Sequence, residues 1–299
     1  MLKFQPVGFG QRVIDTPLGV MAYYTPTSPP WRSEADSGTD RPPLVFLHSL
    51  GGGSSAFEWS KVYPALAPSH RVIAPDLIGW GQSAHPVRDY RVEDYLEVIT
   101  MLLEQVAQQP AIVVASSITA GVTVRLAIAR PDLFQGLFLV SPSGNSDFGR
   151  NYRFSLPAAL AGTPGLDRLV YSLGAANETA VTTFLSTFLF ADADRITPDI
   201  VQAYLAGTQQ PNAEYSALST LKGDIAFDLS LYMSQLSLPT VFVWGQDSRF
   251  SPPEFGKRLA SLNPQAVRQV YEIPQAGVLP HLEHPSVIAG LIEAFCASL

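Results

Sequence analysis

A chain of 299 residues is long for one domain and short for two independent ones, so one core carrying an insertion fits it best. Of its residues 46% are apolar and only 15% are charged, which suits a large buried sheet. The formal net charge of -7 argues against nucleic acid or an anionic membrane surface as a partner. A single cysteine, Cys296, excludes an internal disulfide framework. The start, MLKFQPVGFGQRV, lacks the apolar run of a signal peptide, and no stretch is long and apolar enough to span a bilayer. A reducing, cytoplasmic setting is the expectation.

In chain order, Arg12 to Asp15 and Val20 to Tyr24 are expected to pair as a β-hairpin across the turn Thr16-Pro17-Leu18-Gly19. A Pro-rich polar excursion, SPPWRSEADSGTDRPP, follows as a surface loop. Leu44 to Leu47 is a buried strand; HSLGGGSSAFEW and a helical pattern through Ala67 come next. Arg71 to Pro75 is another strand, and Arg91 to Ala107 an amphipathic helix with Val92, Tyr95, Leu96, Ile99, Leu102 and Leu103 on one face. Ile112 to Ala115 reads as a buried parallel strand that turns at Ser116-Ser117 into a helix-period run, and Leu137 to Val140 is the next strand. Apolar strands alternating with helices of this length predict a mostly parallel α/β sheet.

From about Ser143 to Leu236 the alternation stops. That stretch carries helical patterns (LDRLVYSLGA, ETAVTTFLSTFLFA, TPDIVQAYLAG) and no buried strand, while Gln209 to Glu214 suggests a turn. Alternation resumes with a strand at Thr240 to Trp244, a helix over Pro253 to Leu262, a strand at Val267 to Ile273 and a closing helix from Pro285 to Ala297. The helical block is therefore an insertion, giving a core of 1–142 and 237–299 and an inserted unit of 143–236.

The junction at Ser117 has a specific chemical logic. A serine on a tight turn from strand to helix stands above the sheet at the positive end of the helix, and its near neighbours must be small. The stretch Ala115-Ser116-Ser117-Ile118-Thr119 fits that layout with Thr119 in place of a small residue. An ordinary strand–helix junction with a capping serine is the alternative.

Taken with its companions, this junction resembles the nucleophile elbow of the α/β-hydrolase superfamily. The companions are His48-Ser49 followed by Gly51-Gly52-Gly53, Asp76-Leu77-Ile78-Gly79-Trp80-Gly81-Gln82-Ser83, Trp244-Gly245, and Gly277 with Glu283 and Pro285. The resemblance spans nearly the whole chain. It implies a central, mostly parallel sheet with helices on both faces and a helical cap inserted after the sixth strand.

It also implies roles. Ser117 falls at the nucleophile, and the backbone N–H groups of Leu50 and Ile118 at the oxyanion hole. His48 is expected to be structural. At the family's histidine stands Val278, which cannot accept a proton, and His281 three residues on is the candidate replacement. At the family's acid stands Ser248, with Asp247 one position earlier; Asp147 is a further possibility. Asp76 and its glycines shape their loop. No metal or dinucleotide motif is present in the sequence, so no cofactor is expected.

Two readings follow. One is a hydrolase of a small, largely apolar ester-like substrate using Ser117 with a non-standard or degraded triad. The other is a catalytically silent relative that binds a small molecule or protein partner in the cap pocket, lined by part of the aromatic set Tyr152, Phe154, Tyr171, Phe184, Phe188, Phe190, Tyr204 and Tyr215. Substrate and oligomeric state are not written in the sequence.

Overall fold

The computed structural model describes residues 3–31, 41–150 and 177–299. The central strands form because short β-branched and apolar runs are buried on both sides, while the edge strands Phe9–Thr16 and Val267–Ile273 are partly exposed. The strands are β1 (Phe9–Thr16), β2 (Gly19–Pro26), β3 (Leu44–Leu47), β4 (Val72–Pro75), β5 (Ala111–Ser116), β6 (Phe134–Val140), β7 (Thr240–Gly245) and β8 (Val267–Ile273). They make one eight-stranded sheet in the order β1-β2-β4-β3-β5-β6-β7-β8. The β1–β2 hairpin runs antiparallel and joins β4 antiparallel; from β4 to β8 every pairing is parallel.

Alternation along the central strands shows two covered faces. Val45, Leu47, Val113 and Ala115 point into one core, shared with helices α1 (Val92–Leu102) and α2 (Ser117–Ala129). Leu44, Phe46, Ile112 and Val114 point into the other, shared with Ile288, Ile292 and Phe295 of the closing helix, Pro285–Ala297. Each of these strands is buried along its whole length, so the two-residue period fixes which side chain serves which core.

Two local expectations need correction. In place of the helical pattern expected after Trp59 through Ala67 there is one 3₁₀ turn, Tyr63–Ala65, preceded by another at Ala56–Trp59. Pro64 and Pro68 have no N–H to give, and a continuing helix would clash at each ring. The stretch after Gln209-Gln210 is not only a turn: a helix, Ala213–Lys222, follows it. Its buried face is poor in large apolar residues, because Ser216 and Ser219 occupy it. LDRLVYSLGA lies outside the described residues, as do Tyr152, Phe154 and Tyr171.

Between Asn177 and Leu236 the α-helices described are α3 (Glu178–Phe184), α4 (Pro198–Thr208) and α5 (Ala213–Lys222). None of the eight strands of the sheet draws a residue from that stretch. These helices dock on loops that leave the C-terminal ends of the parallel strands. Helix α4 presses on the loop after β3 so closely that a Cβ at Gly53 would lie 2.5 Å from the Tyr204 carbonyl oxygen, and one at Gly207 2.7 Å from that of Gly53. Helix α5 sits on the loop after β4, where the Ser216 hydroxyl donates to the Gly79 carbonyl at 2.6 Å and the Tyr90 N–H donates to Ser219 Oγ at 2.9 Å. After α3, the Ala191 and Asp192 N–H groups donate to Glu283, which also takes the Gly277 N–H at 2.5 Å.

The loop after β6 is tied by two carboxylates, Asp228, which accepts from the Phe148 and Gly149 N–H groups, and Asp147. Asp147 is buried and accepts from the Ser143 hydroxyl at 2.6 Å, the Gly144 N–H at 3.0 Å and the Leu229 N–H at 2.7 Å. Burial pushes its pKa up, and those three donors pull it back. Removing the acceptor strands two main-chain donors away from water. Asp147→Ala is therefore expected to lower unfolding free energy by about 3 kcal/mol, read from urea denaturation, with Asp147→Asn costing less because one oxygen remains. A loss below about 0.5 kcal/mol would show that this loop is held by something else.

Candidate active site

The site is built where β5 ends. Ser116 is extended (φ -123, ψ 150), and Ser117 flips to φ 56, the left-handed region, before α2 continues as a regular helix. An L-residue there costs roughly 1–2 kcal/mol. The strain lifts Ser117 above the edge of the sheet, where it is half-buried while its neighbours Ser116 and Ile118 are sealed. The Ser117 carbonyl accepts the Ser143 N–H at 3.3 Å, so the loops after β5 and β6 are stitched together. Gly121 permits that approach, since a Cβ there would lie 2.4 Å from the Ser143 carbonyl oxygen.

Register brings the strand ends that lead to the two expected oxyanion donors to the same level. Leu47 of β3 pairs with Ala115 of β5, and Leu50 and Ile118 each lie three residues beyond that level. Ile118 is in the first turn of α2, where N–H groups have no partner within the helix. The Leu50 N–H makes no hydrogen bond among the described residues.

His48 is fully buried and spends both nitrogens on the main chain. Nε2 accepts from the Leu77 N–H at 2.9 Å, which leaves Nδ1 carrying the proton given to the Ser49 carbonyl at 2.5 Å. Burial pulls its pKa down to about 4. Asp76 works similarly in its loop, accepting from Tyr24, Ala56 and Gln82 at 2.7–2.9 Å.

The remaining positions are not brought together into a relay. Val278 is buried; its N–H donates to the Leu189 carbonyl at 2.9 Å and its carbonyl accepts from the Ser141 hydroxyl at 3.3 Å. His281 has no exposed surface and stacks on Trp59, with ring centroids 3.8 Å apart and planes 13° from parallel. Neither of its nitrogens has a hydrogen-bond partner among the described residues, Ser117 included, and burial lowers its pKa to about 3. Asp247 is exposed and its carboxylate bonds to nothing described, although its N–H donates to the Ala276 carbonyl at 2.9 Å. Ser248 buries a hydroxyl that has no partner among the described residues.

Two residues of this neighbourhood were not singled out by sequence reasoning. Ser141, just past the end of β6, holds φ 46 and faces the Val278 carbonyl. Glu58 is a fully buried carboxylate that accepts from Ser49 and Tyr204. Its only signal was a charge inside the aromatic stretch AFEW. Among the described residues no group of three or more His, Cys, Asp or Glu side chains could hold a metal, and no helix is long and apolar enough to cross a membrane.

The buried neutral imidazole of His281 gives a pH test. In the unfolded chain a histidine takes its proton near pH 6.5; in the folded protein His281 takes it only near 3. Between those values the unfolded state binds more protons, so stability falls as pH falls. His281→Phe keeps the stack on Trp59 and removes the titration. The variant's stability relative to the native protein should rise by roughly 3 kcal/mol between pH 7 and pH 4, measured by denaturant unfolding. A difference that does not change with pH would mean that His281 is not held neutral.

Known proteins show the same frame. A haloalkane dehalogenase of Mesorhizobium japonicum is 35% identical over 105 residues, which is 35% of this chain and 33% of that protein, so this match spans a third of each. A 2-hydroxy-6-oxo-6-phenylhexa-2,4-dienoate hydrolase of Burkholderia cepacia is 26% identical over 264 residues, 85% of this chain and 87% of that one. Among solved structures, the carboxylesterase CesB from Bacillus subtilis superposes with a TM-score of 0.75 at 17% identity, over 100% of this chain and 95% of that chain. The family described as alpha/beta hydrolase fold matches residues 42–285, and with that span the chain belongs to the α/β-hydrolase family.

Proposed function

We propose that the protein is a hydrolase of small, largely apolar ester-like or related carbonyl substrates, acting through Ser117 without an assembled serine–histidine–acid relay. The observation that carries this reading is the strained turn: Ser117 stands at φ 56, and the N–H groups of Leu50 and Ile118, from the strand ends around it, make no hydrogen bond among the described residues. Backbone strain of this kind persists where the surroundings enforce it, and it clusters at reacting groups. A substrate carbonyl against Ser117 would have its developing negative charge met by those two donors and by the positive end of α2. The helices from 178 to 222 would serve as the cap closing that space, within an inserted unit of 143–236. The dehalogenase and the dienoate hydrolase among the relatives favour small, largely apolar substrates.

Proton transfer limits the rate. A serine hydroxyl needs a base within hydrogen-bond reach, roughly 2.6–3.2 Å. Val278 offers no nitrogen, and His281, the candidate replacement, faces Trp59 and would have to leave that stack before it could pair with Asp247 and serve Ser117. The second reading, a silent relative that binds a small molecule or protein partner, draws on that same observation. The two part on one experiment. Under the hydrolase reading a fluorophosphonate labels Ser117 slowly, the label is absent in Ser117→Ala, and ester turnover runs several orders of magnitude below that of a complete triad. No labelling over days, with ligand binding retained, would remove the hydrolase reading and leave the binder. Val278→His, which puts an imidazole at the vacant position, should speed labelling at least tenfold if the remaining geometry is sound.

A further inference from the structure

Glu58 is a fully buried carboxylate that makes no ion pair among the described residues. Its Oε2 accepts the Ser49 N–H at 2.8 Å, and its Oε1 accepts the Ser49 hydroxyl at 2.8 Å and the Tyr204 hydroxyl at 2.9 Å. Ser49 Oγ also lies 2.9 Å from Ser54 Oγ. Burying an acid is costly, and burial here drives its pKa up. A neutral residue packed between Phe57 and Trp59 would avoid that cost, so the carboxylate is explained only by what it holds.

What it holds is Ser49, by the N–H of the peptide before it and by its side chain, so Glu58 sets the residue from which the next peptide plane starts. The peptide joining Ser49 to Leu50 is planar and trans, so the Ser49 carbonyl and the Leu50 N–H point in opposite directions. His48 Nδ1 fixes the carbonyl side, while Glu58 grips Ser49 by both its N–H and its hydroxyl. With those three points set, the Leu50 N–H has one direction left, away from His48. A glycine at position 49 would offer Glu58 only the N–H; the serine hydroxyl is a second handle. Tyr204 lies on α4, which meets the same loop backbone-to-backbone at Gly53.

We propose that Glu58 is a positioning residue that aims the Leu50 N–H as an oxyanion donor, and that the Tyr204 hydroxyl couples this aim to the seating of α4. The catalytic part of the inference rests on the hydrolase reading; the geometric part does not. Glu58→Gln keeps the shape but sets an amide donor against the donors of Ser49. Tyr204→Phe removes one hydroxyl and keeps the ring, and serves if Glu58→Gln does not fold. The first readout is the ¹H–¹⁵N resonance and hydrogen exchange of the Leu50 amide in folded protein. Both variants should move that resonance in the same direction, Glu58→Gln further, and change its exchange rate at least threefold, with the Ala111 amide in β5 unaffected. The second readout is fluorophosphonate labelling of Ser117, expected to slow about tenfold or more in Glu58→Gln with the concentration for half-maximal rate unchanged. An unmoved Leu50 amide in a folded variant overturns the proposal whatever the labelling does. A moved amide with no labelling even in the native protein leaves the positioning role standing and removes the hydrolase reading instead.

Discussion

The left-handed turn at Ser117 is the constraint on which the upper edge of this molecule depends. A non-glycine residue does not hold φ 56 by preference; it is held by its neighbours. Strand β5 is clamped between β3 and β6 almost to its last residue, and α2 cannot unwind backwards because Ile118, Ala120, Val122 and Val124 are locked into one core. The Ser143 N–H then closes over the Ser117 carbonyl. Strand pairing, helix packing and the loop after β6 all converge on one dihedral angle. The unspent Ile118 N–H is a direct result, since the chain turns too sharply to offer it an acceptor.

The helical segment is fastened to that edge by an apolar cluster, in which Leu185, Leu189, Phe190 and Ile200 pack with Phe57, Val278, Leu279 and Leu282, and by close main-chain approach. Gly53 and Gly207 let α4 touch the loop after β3, and Gly277 lets the chain after α3 touch the loop after β8. Such contacts give little apolar burial, and their specificity comes from polar groups placed beside them. Tyr204 to Glu58, Ser216 to Gly79, and Ala191 and Asp192 to Glu283 each pair a group on the segment with one on a strand-end loop. Rotating the segment as a body would break all of them together, and each would leave a buried group unpaired. Helix α4 is therefore held in register with the loop that carries Leu50.

Much of this was legible in the sequence, for a physical reason. Strands buried on both faces must be apolar throughout, so Leu44–Leu47, Thr240–Gly245 and their neighbours stood out as runs. Ser117 stood out as a serine at a strand-to-helix junction, while Leu50 and Val278 were singled out only through the resemblance to the family. Helix α5 was not seen because its inward face carries serines bonded to main-chain groups, which apolar periodicity does not detect. Glu58 escaped because nothing local tells a solvated glutamate from one gripped by Ser49 and by Tyr204, 146 residues away in the chain. The pattern after Trp59 through Ala67 read as a helix, and Pro64 and Pro68 within and after it cut it to a short turn at Tyr63–Ala65.

A division by origin runs through the strand ends. What the main chain supplies is in place: the turn at Ser117, the N–H of Ile118 in the first turn of α2, and the N–H of Leu50 opposite a pinned carbonyl. What side chains would have to supply is not assembled among the described residues, for the Val278 side chain has no nitrogen, His281 lies flat on Trp59, and Asp247 is exposed. Main-chain donors come with the fold and need no further residue to maintain them. A relay needs two side chains aimed to within a few tenths of an ångström, each held by partners of its own. Electrostatic stabilisation and proton transfer would thus be separable under the proposed reading, and Glu58 is a buried acid committed to Ser49, beside Leu50, rather than to His281 or Ser117.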